Sequence, residues 1–326
     1  MAQRLARWLW EPEVAGSNPA APNFIMKTAY TVLEKNSFRT FILFFSYFTL
    51  FSIFSLVLRI LINNDYVFVF ILLFALIYSF FSLILGTKIS LHLFGAKEIK
   101  KEDMPEIYNL VENISIIAGL PKTPKVYIID TNEMNAFAMG THYSNYLVAL
   151  TTGLIKKLDK KELEAVIAHE IAHIKNKDTR LMTIAVFLAG VLSIAAEIFL
   201  RVANSVSRNS RKGGSIAGIL FLAGLIFIIL SPLFATLIQL SISRKREFMA
   251  DATSALLTRN PLALASALKK ISQSSQEFFY NYPNYASIFI YNPFEKKKDL
   301  LSKIENIFST HPPVEERIKI LREMVI

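Results

Sequence analysis

Long apolar stretches dominate the pattern of hydrophobic and polar positions along the chain. They run from Thr40 to Leu58, from Tyr66 to Thr87, from Leu181 to Leu200 and from Gly213 to Ser243. An α-helix rises 1.5 Å per residue, so about 20 apolar residues cross the ~30 Å hydrocarbon core of a bilayer. The pattern therefore predicts about four transmembrane helices in two hairpins. Pro232 lies inside the last stretch, where we expect a kink.

Basic residues indicate how the first hairpin is oriented. Lysines and arginines flank it on both sides, whereas the connection between its two stretches carries only Arg59. Because basic loops stay on the cytoplasmic side, both flanks are predicted to be cytoplasmic. The loop of the second hairpin is also basic and favours the opposite side, and we let the first hairpin decide. The expectation is a multi-pass plasma-membrane protein whose polar segments lie on the cytoplasmic side.

In the polar segments, hydrophobic residues recur with the short periods of amphipathic helices and strands, which is typical of a folded domain. Met104 to Ile117 predicts an amphipathic helix, and Val126 to Ile129 and Tyr146 to Thr152 predict two strands. Asp159 followed by Glu162 forms a capping box that should start a further helix. The predicted fold class is mainly α with a small β-sheet (α+β).

These patterns divide the chain into five segments. The first is expected to be a disordered extension or a mis-assigned start, because Met26-Lys27 would begin the following segment naturally. The expected segments are the extension 1–25, a transmembrane hairpin 26–87, a polar part 88–180, a second hairpin 181–243 and a second polar part 244–326.

Composition changes this picture in three ways. The chain is 53% hydrophobic with a mean hydropathy of +0.39, which is well above soluble proteins and agrees with lipid contact. It has no Cys, which excludes disulfides, a thiolate nucleophile and Cys-ligated zinc. The net charge of +10 could favour nucleic acid, but the basic residues cluster at the ends of apolar segments, so an anionic membrane surface is the better partner and no nucleic acid is expected.

The sequence His169-Glu170-Ile171-Ala172-His173 carries the candidate chemistry. Residues four apart share one face of a helix, so His169 and His173 can bind one cation. Glu170 is rotated by about 100° and can take a proton from a water bound to that cation. This pattern predicts a metal-dependent hydrolase.

A catalytic zinc usually takes three protein ligands, so one more is needed. Glu247 is the best candidate, and Asp251, one helical turn later, could accept the N–H of a ligating imidazole. Without the HExxH motif, both would be interpreted as a charged helix face. His92 and His142 are interpreted as ordinary surface or interfacial histidines.

HEIAH, together with a later Glu in REFMAD and adjoining membrane helices, resembles the HtpX-like membrane zinc metalloproteases. These gluzincins are relatives of the CAAX prenyl endopeptidases. Further marks of the resemblance are Asn135-Ala136-Phe137-Ala138 and a Ser-Thr-His-Pro-Pro sequence containing His311, followed by Arg317. The resemblance runs from about Met26 to the C-terminus, and the extension before Met26 departs from it.

The resemblance implies one Zn²⁺ per chain, bound by His169, His173 and Glu247, with Asp251 as partner of a ligand. It also implies that Glu170 activates water and that His311 and Arg317 stabilise the oxyanion on the scissile carbonyl. His311 could instead be an ordinary residue at a helix start, and Arg317 could simply face solvent. The strand from Tyr146 to Thr152 is expected to offer a free edge to an extended substrate, with Asn135, Ala149 and Leu150 in contact.

The expected function is therefore a membrane endopeptidase that cleaves misfolded or damaged membrane proteins in protein quality control. Two alternatives stay open, namely a protease that processes prenylated CAAX-type proteins and a non-catalytic metal-binding scaffold. The sequence leaves the oligomeric state, the cleavage specificity and the physiological substrate open.

Overall fold

A computed structural model of the chain describes residues 44–56, 58–60, 65–142, 144–209, 217–226, 228, 244–275, 277–281, 285, 288–292 and 312–324. The described residues are mostly helical with a small mixed sheet, in agreement with the predicted α+β composition. In chain order the helices are α1 Phe44–Ile60, α2 Asp65–Leu93, α3 Pro105–Ile117, α4 Thr152–Lys157, α5 Lys160–Lys175, α6 Asp178–Asn209, α7 Ala217–Ile226, α8 Arg244–Thr258, α9 Pro261–Gln273 and α10 Val314–Glu323.

Four strands form the sheet, in the order β1-β2-β4-β3. They are β1 Lys97–Ile99, β2 Lys125–Ile129, β3 Ala136–Met139 and β4 Leu147–Thr151. Strand β4 pairs in parallel with β2 and antiparallel with β3, while β1 pairs antiparallel with β2. Both predicted strands and the predicted amphipathic helix are confirmed to within one or two residues, as β2, β4 and α3.

The chain folds as two compact units. The described residues of the sheet unit lie within Ser90–Thr183 and Ile242–Ile326, and those of the helical unit lie within Phe38–Ile89 and Ile184–Ser241. Each has its own apolar core. The core of the sheet unit joins the sheet to α3, α5, α8, α9 and α10. That of the helical unit is built from α1, α2, α6 and α7.

The predicted membrane segments fall almost entirely on the helical unit, but the described helices meet the criteria for a membrane span only in part. Among the described residues, no single helix is both long and apolar enough to span a membrane. Phe68–Phe81 and Leu85–Leu93 meet the length and composition criterion only as a pair, across a bend of 71°. Residues 1–43 and most of Gly213 to Ser243 lie outside the described residues, so the extension and the fourth predicted helix stay predictions.

Candidate metal centre

Helix α5 carries the HExxH sequence, and the predicted capping box at its start is confirmed. Asp159 accepts a hydrogen bond from the amide of Glu162, and the Glu162 carboxylate accepts one from the amide of Asp159, both at 2.9 Å. The same carboxylate accepts bonds from Ser266 Oγ and Lys270 Nζ on α9, both at 2.6 Å. The first turn of α5 is thus fixed to its own backbone and to a neighbouring helix.

Two imidazoles and one carboxylate converge where α5 faces α8. His169 Nε2 lies 3.2 Å from His173 Nε2. The Glu247 carboxylate places Oε2 3.7 Å from His169 Nε2 and Oε1 3.4 Å from His173 Nε2. All three side chains are buried. The structure therefore brings together the three residues that the sequence nominated as metal ligands.

The spacing of these atoms suits a tetrahedral metal ion. Two ligand atoms of tetrahedral zinc lie about 3.3 Å apart when each bond is about 2.0 Å long. The three separations here bracket that value. Imidazole nitrogen and carboxylate oxygen are also donors that zinc accepts.

The charges around the cluster point to a cation as well. Four buried carboxylates and two buried guanidinium groups surround the imidazoles: Glu170, Asp178, Glu247 and Asp251, with Arg246 and Arg317. With every carboxylate ionised and both imidazoles neutral, which is the state that can bind a metal, this is a formal excess of two negative charges. Buried charges must be compensated to be stable. A divalent cation would supply the missing charge.

Glu170 lies at the same buried site, with 2% of its surface exposed. Its Oε1 atom has no hydrogen-bond partner among the described residues. Burial raises the pKa of Glu170 to about 8, although the charge of His173 and the Ala138 amide oppose this rise. A carboxylate with a raised pKa can take up a proton near neutral pH, as a general base requires.

The two imidazoles have opposite pKa shifts. Burial lowers the pKa of His169 to about 4, so this ring is neutral and offers a lone pair. Burial also acts to lower the pKa of His173, but the charges of Glu247 and Asp178 outweigh it and raise this pKa to about 9. The difference arises because His173 faces carboxylates while His169 also faces Arg317.

Asp251 and Arg317 form a second buried layer behind His169. Asp251 Oδ1 lies 3.0 Å from His169 Nδ1, in a bent geometry. Arg317 donates from Nε and Nη2 to the two Asp251 oxygens at 2.8 and 2.6 Å, and from Nη1 to the carbonyl of Ile290 at 3.1 Å. Burial alone would raise the pKa of Asp251, but Arg317 and His169 together lower it below its usual range. Asp251 is therefore charged and can hold the His169 ring.

Comparison with known proteins agrees with this geometry. The sequence profile of peptidase family M48 matches residues 101–325, which is more than half of the chain. The chain belongs to peptidase family M48. It is therefore a metalloprotease, a hydrolase that acts on polypeptides, and the predicted enzyme class is confirmed.

Several relatives within M48 are named Protease HtpX homolog, which confirms the predicted resemblance. The protein of Bacteroides fragilis is 42% identical over 233 residues, which are 70% of this chain and 71% of the relative. That of Dictyoglomus thermophilum is 44% identical over 230 residues, 71% and 73% of the two chains. That of Tropheryma whipplei is 38% identical over 295 residues, 90% and 98% of the two chains.

Among solved structures, a crystal structure of S. mikatae Ste24p aligns with 90% of this chain and 65% of its own length. The TM-score is 0.45 and the sequence identity is 19%.

Of the two residues expected to stabilise an oxyanion, one lies in the described part. Arg317 is 1% exposed, so the alternative that it faces solvent is wrong. Its Nη2 lies 3.4 Å from His169 Nε2, and its Nη1 lies 3.6 Å from Glu247 Oε2. His311 lies outside the described residues, and its role stays a prediction.

The predicted substrate strand needs a correction. Strand β4, which contains Ala149 and Leu150, is interior to the sheet and pairs with β2 on one side and β3 on the other. The prediction that this strand offers a free edge is therefore wrong. It failed because an apolar strand pattern indicates burial but not the order of strands in a sheet. The outer strand on this side is β3, and its Ala138 amide reaches Glu170.

Asn135 was expected at the substrate, but its side chain is 0% exposed. Its Nδ2 donates to the carbonyl of Tyr291 at 3.2 Å, and its Oδ1 accepts from the Ala136 amide at 2.9 Å. These bonds attach the start of β3 to the segment around residue 290. The described contacts thus support a structural role.

Sequence reasoning missed Asp178 and Arg246. Asp178 Oδ2 lies 3.5 Å from His173 Nδ1, and Arg246 Nη1 donates to Asp178 Oδ1 at 3.1 Å. In the sequence, Asp178 is a polar residue at the start of an apolar helix, and Arg246 is a basic residue beside an apolar stretch, so neither pattern indicates a metal site. A useful signal would have been their direct proximity in sequence to His173 and Glu247.

Proposed function

We propose that this M48 metalloprotease is a membrane-bound zinc endopeptidase that hydrolyses peptide bonds of misfolded or damaged membrane proteins. The observation that carries the proposal is the convergence of His169, His173 and Glu247 at tetrahedral spacing, with Glu170 at the same buried site.

Zinc is the proposed ion because two imidazoles and a carboxylate leave one tetrahedral position open, as in catalytic zinc sites. When bound, zinc acts as a Lewis acid toward the scissile carbonyl and lowers the pKa of water. The three ligands are the proposed metal-binding residues of this chain.

The chain's own groups divide the remaining work. Glu170 is proposed to accept the proton of the attacking water and to deliver it to the leaving amine. Asp251 holds the His169 ring through Nδ1, and Arg317 holds Asp251 through two bonds. The remaining N–H groups of Arg317 face His169 and Glu247, so its positive charge lies close to the site where an oxyanion would form.

Membrane attachment is supported by the surface of the helical unit. Large apolar side chains such as Ile77 and Phe70 are 51% and 70% exposed there. Apolar surface of this extent on a soluble protein would favour aggregation, whereas lipid would cover it. In the sequence, His169 and His173 shortly precede the second apolar region and Glu247 shortly follows it, so we propose that substrates are cleaved near the membrane, on its cytoplasmic side.

Metal analysis of the full chain purified in detergent tests the centre. We expect about one zinc per wild-type chain and its loss in Glu247→Ala, because two imidazoles alone hold zinc weakly. Glu106→Ala is the matched control, since Glu106 is an exposed carboxylate whose partner is Lys160. Unchanged zinc content in Glu247→Ala would refute the proposed third ligand.

A substrate comparison tests the biological role. Purified enzyme would be offered a destabilised membrane protein, the same protein in its folded form and a prenylated peptide. We expect faster cleavage of the destabilised protein. Preferred cleavage of the prenylated peptide would support prenyl-protein processing instead.

A further inference from the structure

Asp178 forms an ion pair with Arg246 and also lies next to His173, a proposed metal ligand. We propose that Asp178 is a positioning residue that orients His173 for the metal, and that Arg246 holds Asp178 in place. This inference rests on the proposed zinc site and extends it by two residues.

The orientation of the His173 ring supports the role proposed for Asp178. Its Nε2 atom faces His169 Nε2 at 3.2 Å and Glu247 Oε1 at 3.4 Å. The opposite nitrogen, Nδ1, lies 3.5 Å from Asp178 Oδ2. A carboxylate beside Nδ1 keeps the proton on that nitrogen, which leaves the Nε2 lone pair for a metal. Asp178 thus selects the tautomer of His173 that can act as a ligand.

Arg246 holds the other oxygen of the Asp178 carboxylate, which supports the role proposed for Arg246. Its Nη1 donates to Asp178 Oδ1 at 3.1 Å, and both side chains are buried. Arg246 directly precedes Glu247 in α8, whereas Asp178 opens α6, five residues after His173. The pair therefore joins the two parts of the chain that supply the ligands.

The arrangement repeats the one behind the other imidazole. His169 Nδ1 faces Asp251, which is held by Arg317, and His173 Nδ1 faces Asp178, which is held by Arg246. Asp251 and Arg317 come from α8 and α10, whereas Asp178 and Arg246 come from α6 and α8. An ion pair that only joined two helices would not need a carboxylate oxygen beside the Nδ1 atom of an imidazole.

The test removes both charges together, so that neither is left buried and unpaired. Full-length Asp178→Ala/Arg246→Met in detergent is titrated with Zn²⁺ against a chromogenic chelator, and its Co²⁺ form is recorded by visible absorption. We expect about 10- to 100-fold weaker zinc binding and altered Co²⁺ bands. Asp178→Asn/Arg246→Met keeps an acceptor oxygen for Nδ1 and should bind with intermediate affinity.

The matched control is Glu162→Ala/Lys270→Met. Glu162 is also buried and paired with a cation, and it lies on α5, but its partners are Asp159 at the start of α5 and two residues of α9, none of which lies at the ligands. We expect this control to lose stability while its zinc affinity and Co²⁺ spectrum stay as in the wild type.

Wild-type affinity and spectrum in the Asp178→Ala/Arg246→Met variant would overturn the inference. An equal loss of affinity in the control would also overturn it, since the effect would then reflect general stability. If the alanine variant does not fold, wild-type affinity in the asparagine variant overturns it. Failure of the proposed function is separate, because it would appear as zinc absent from the wild type or unaffected by Glu247→Ala.

Discussion

The two units of this chain invert each other's distribution of charge and apolar surface. The described part of the sheet unit buries eight charged or titratable side chains around one point. Among its described polar side chains, the helical unit buries only hydroxyl groups, namely those of Tyr47, Ser55, Ser79 and Thr87. Ser79 donates to the carbonyl of Ala75 one turn earlier, which satisfies it within its own helix.

Most of the large apolar side chains that are exposed in the described residues lie on the helical unit. A buried charge is tolerated only with partners, and an exposed apolar surface only with an apolar environment. The reactive centre and most of the exposed apolar surface therefore lie in different units. The sheet unit contains the buried charged cluster, whereas the helical unit exposes large apolar side chains at its surface.

The largest effect should come from Glu170→Gln in the sheet unit. This change removes the proposed proton acceptor but keeps the shape and the ligands, so peptidase activity should fall by roughly 10²- to 10⁴-fold. Activity is measured on an unfolded polypeptide, with zinc content and thermal unfolding as checks. Glu164→Gln, on the same helix but outside the cluster, is the control. Equal activity in wild type and Glu170→Gln would remove the role assigned to Glu170.

Arg317→Met should come next, because it leaves Asp251 buried without its bidentate partner. Breaking a buried pair from one side costs about 3 to 5 kcal/mol of unfolding free energy. Denaturant unfolding followed in detergent measures the change. A loss below about 1 kcal/mol would mean that Arg317 does not hold the charge of Asp251.

A third experiment compares one residue type in the two units. Ile77 in the helical unit and Ile117 in the sheet unit are 51% and 58% exposed. If Ile77 faces lipid, Ile77→Lys should cost about 2.5 to 3.5 kcal/mol on insertion, while Ile117→Lys should be nearly neutral. The amount of protein recovered in the membrane fraction gives the difference. Equal recovery of the two variants would argue against lipid around Ile77.

The smallest effect is expected for Arg201→Met in the helical unit. Arg201 pairs with Glu197 one turn earlier, and both side chains are mostly exposed. Exposed pairs of this spacing contribute about 0.5 kcal/mol or less. The same unfolding assay as for Arg317→Met should show almost no shift, and a loss as large as that of Arg317→Met would contradict the proposed difference between the units.

Local spacing explains what the sequence could predict. His169 and His173, and likewise Glu247 and Asp251, lie four residues apart, so one helical turn brings each pair onto one face. The capping box at Asp159 follows from a spacing of three residues and is also confirmed. Each of these features depends only on the geometry of a single helix.

Features that depend on distant parts of the chain were harder to predict. Asp178 and Arg246 are 68 residues apart and meet only in the folded sheet unit. The burial of Arg317 depends on Asp251, which is 66 residues away. The strand order that places β4 inside the sheet is also non-local, so the edge was assigned to the wrong strand.

The interior position of β4 limits how a polypeptide can be gripped. On the neighbouring outer strand, the Ala136 carbonyl already accepts the Ile290 amide at 2.9 Å, and the Ala138 amide reaches Glu170. Among the described residues, few main-chain groups of β3 are therefore left to pair with an extended substrate. Pairing through one or two peptide units depends little on the substrate's sequence, which agrees with the proposed range of misfolded substrates.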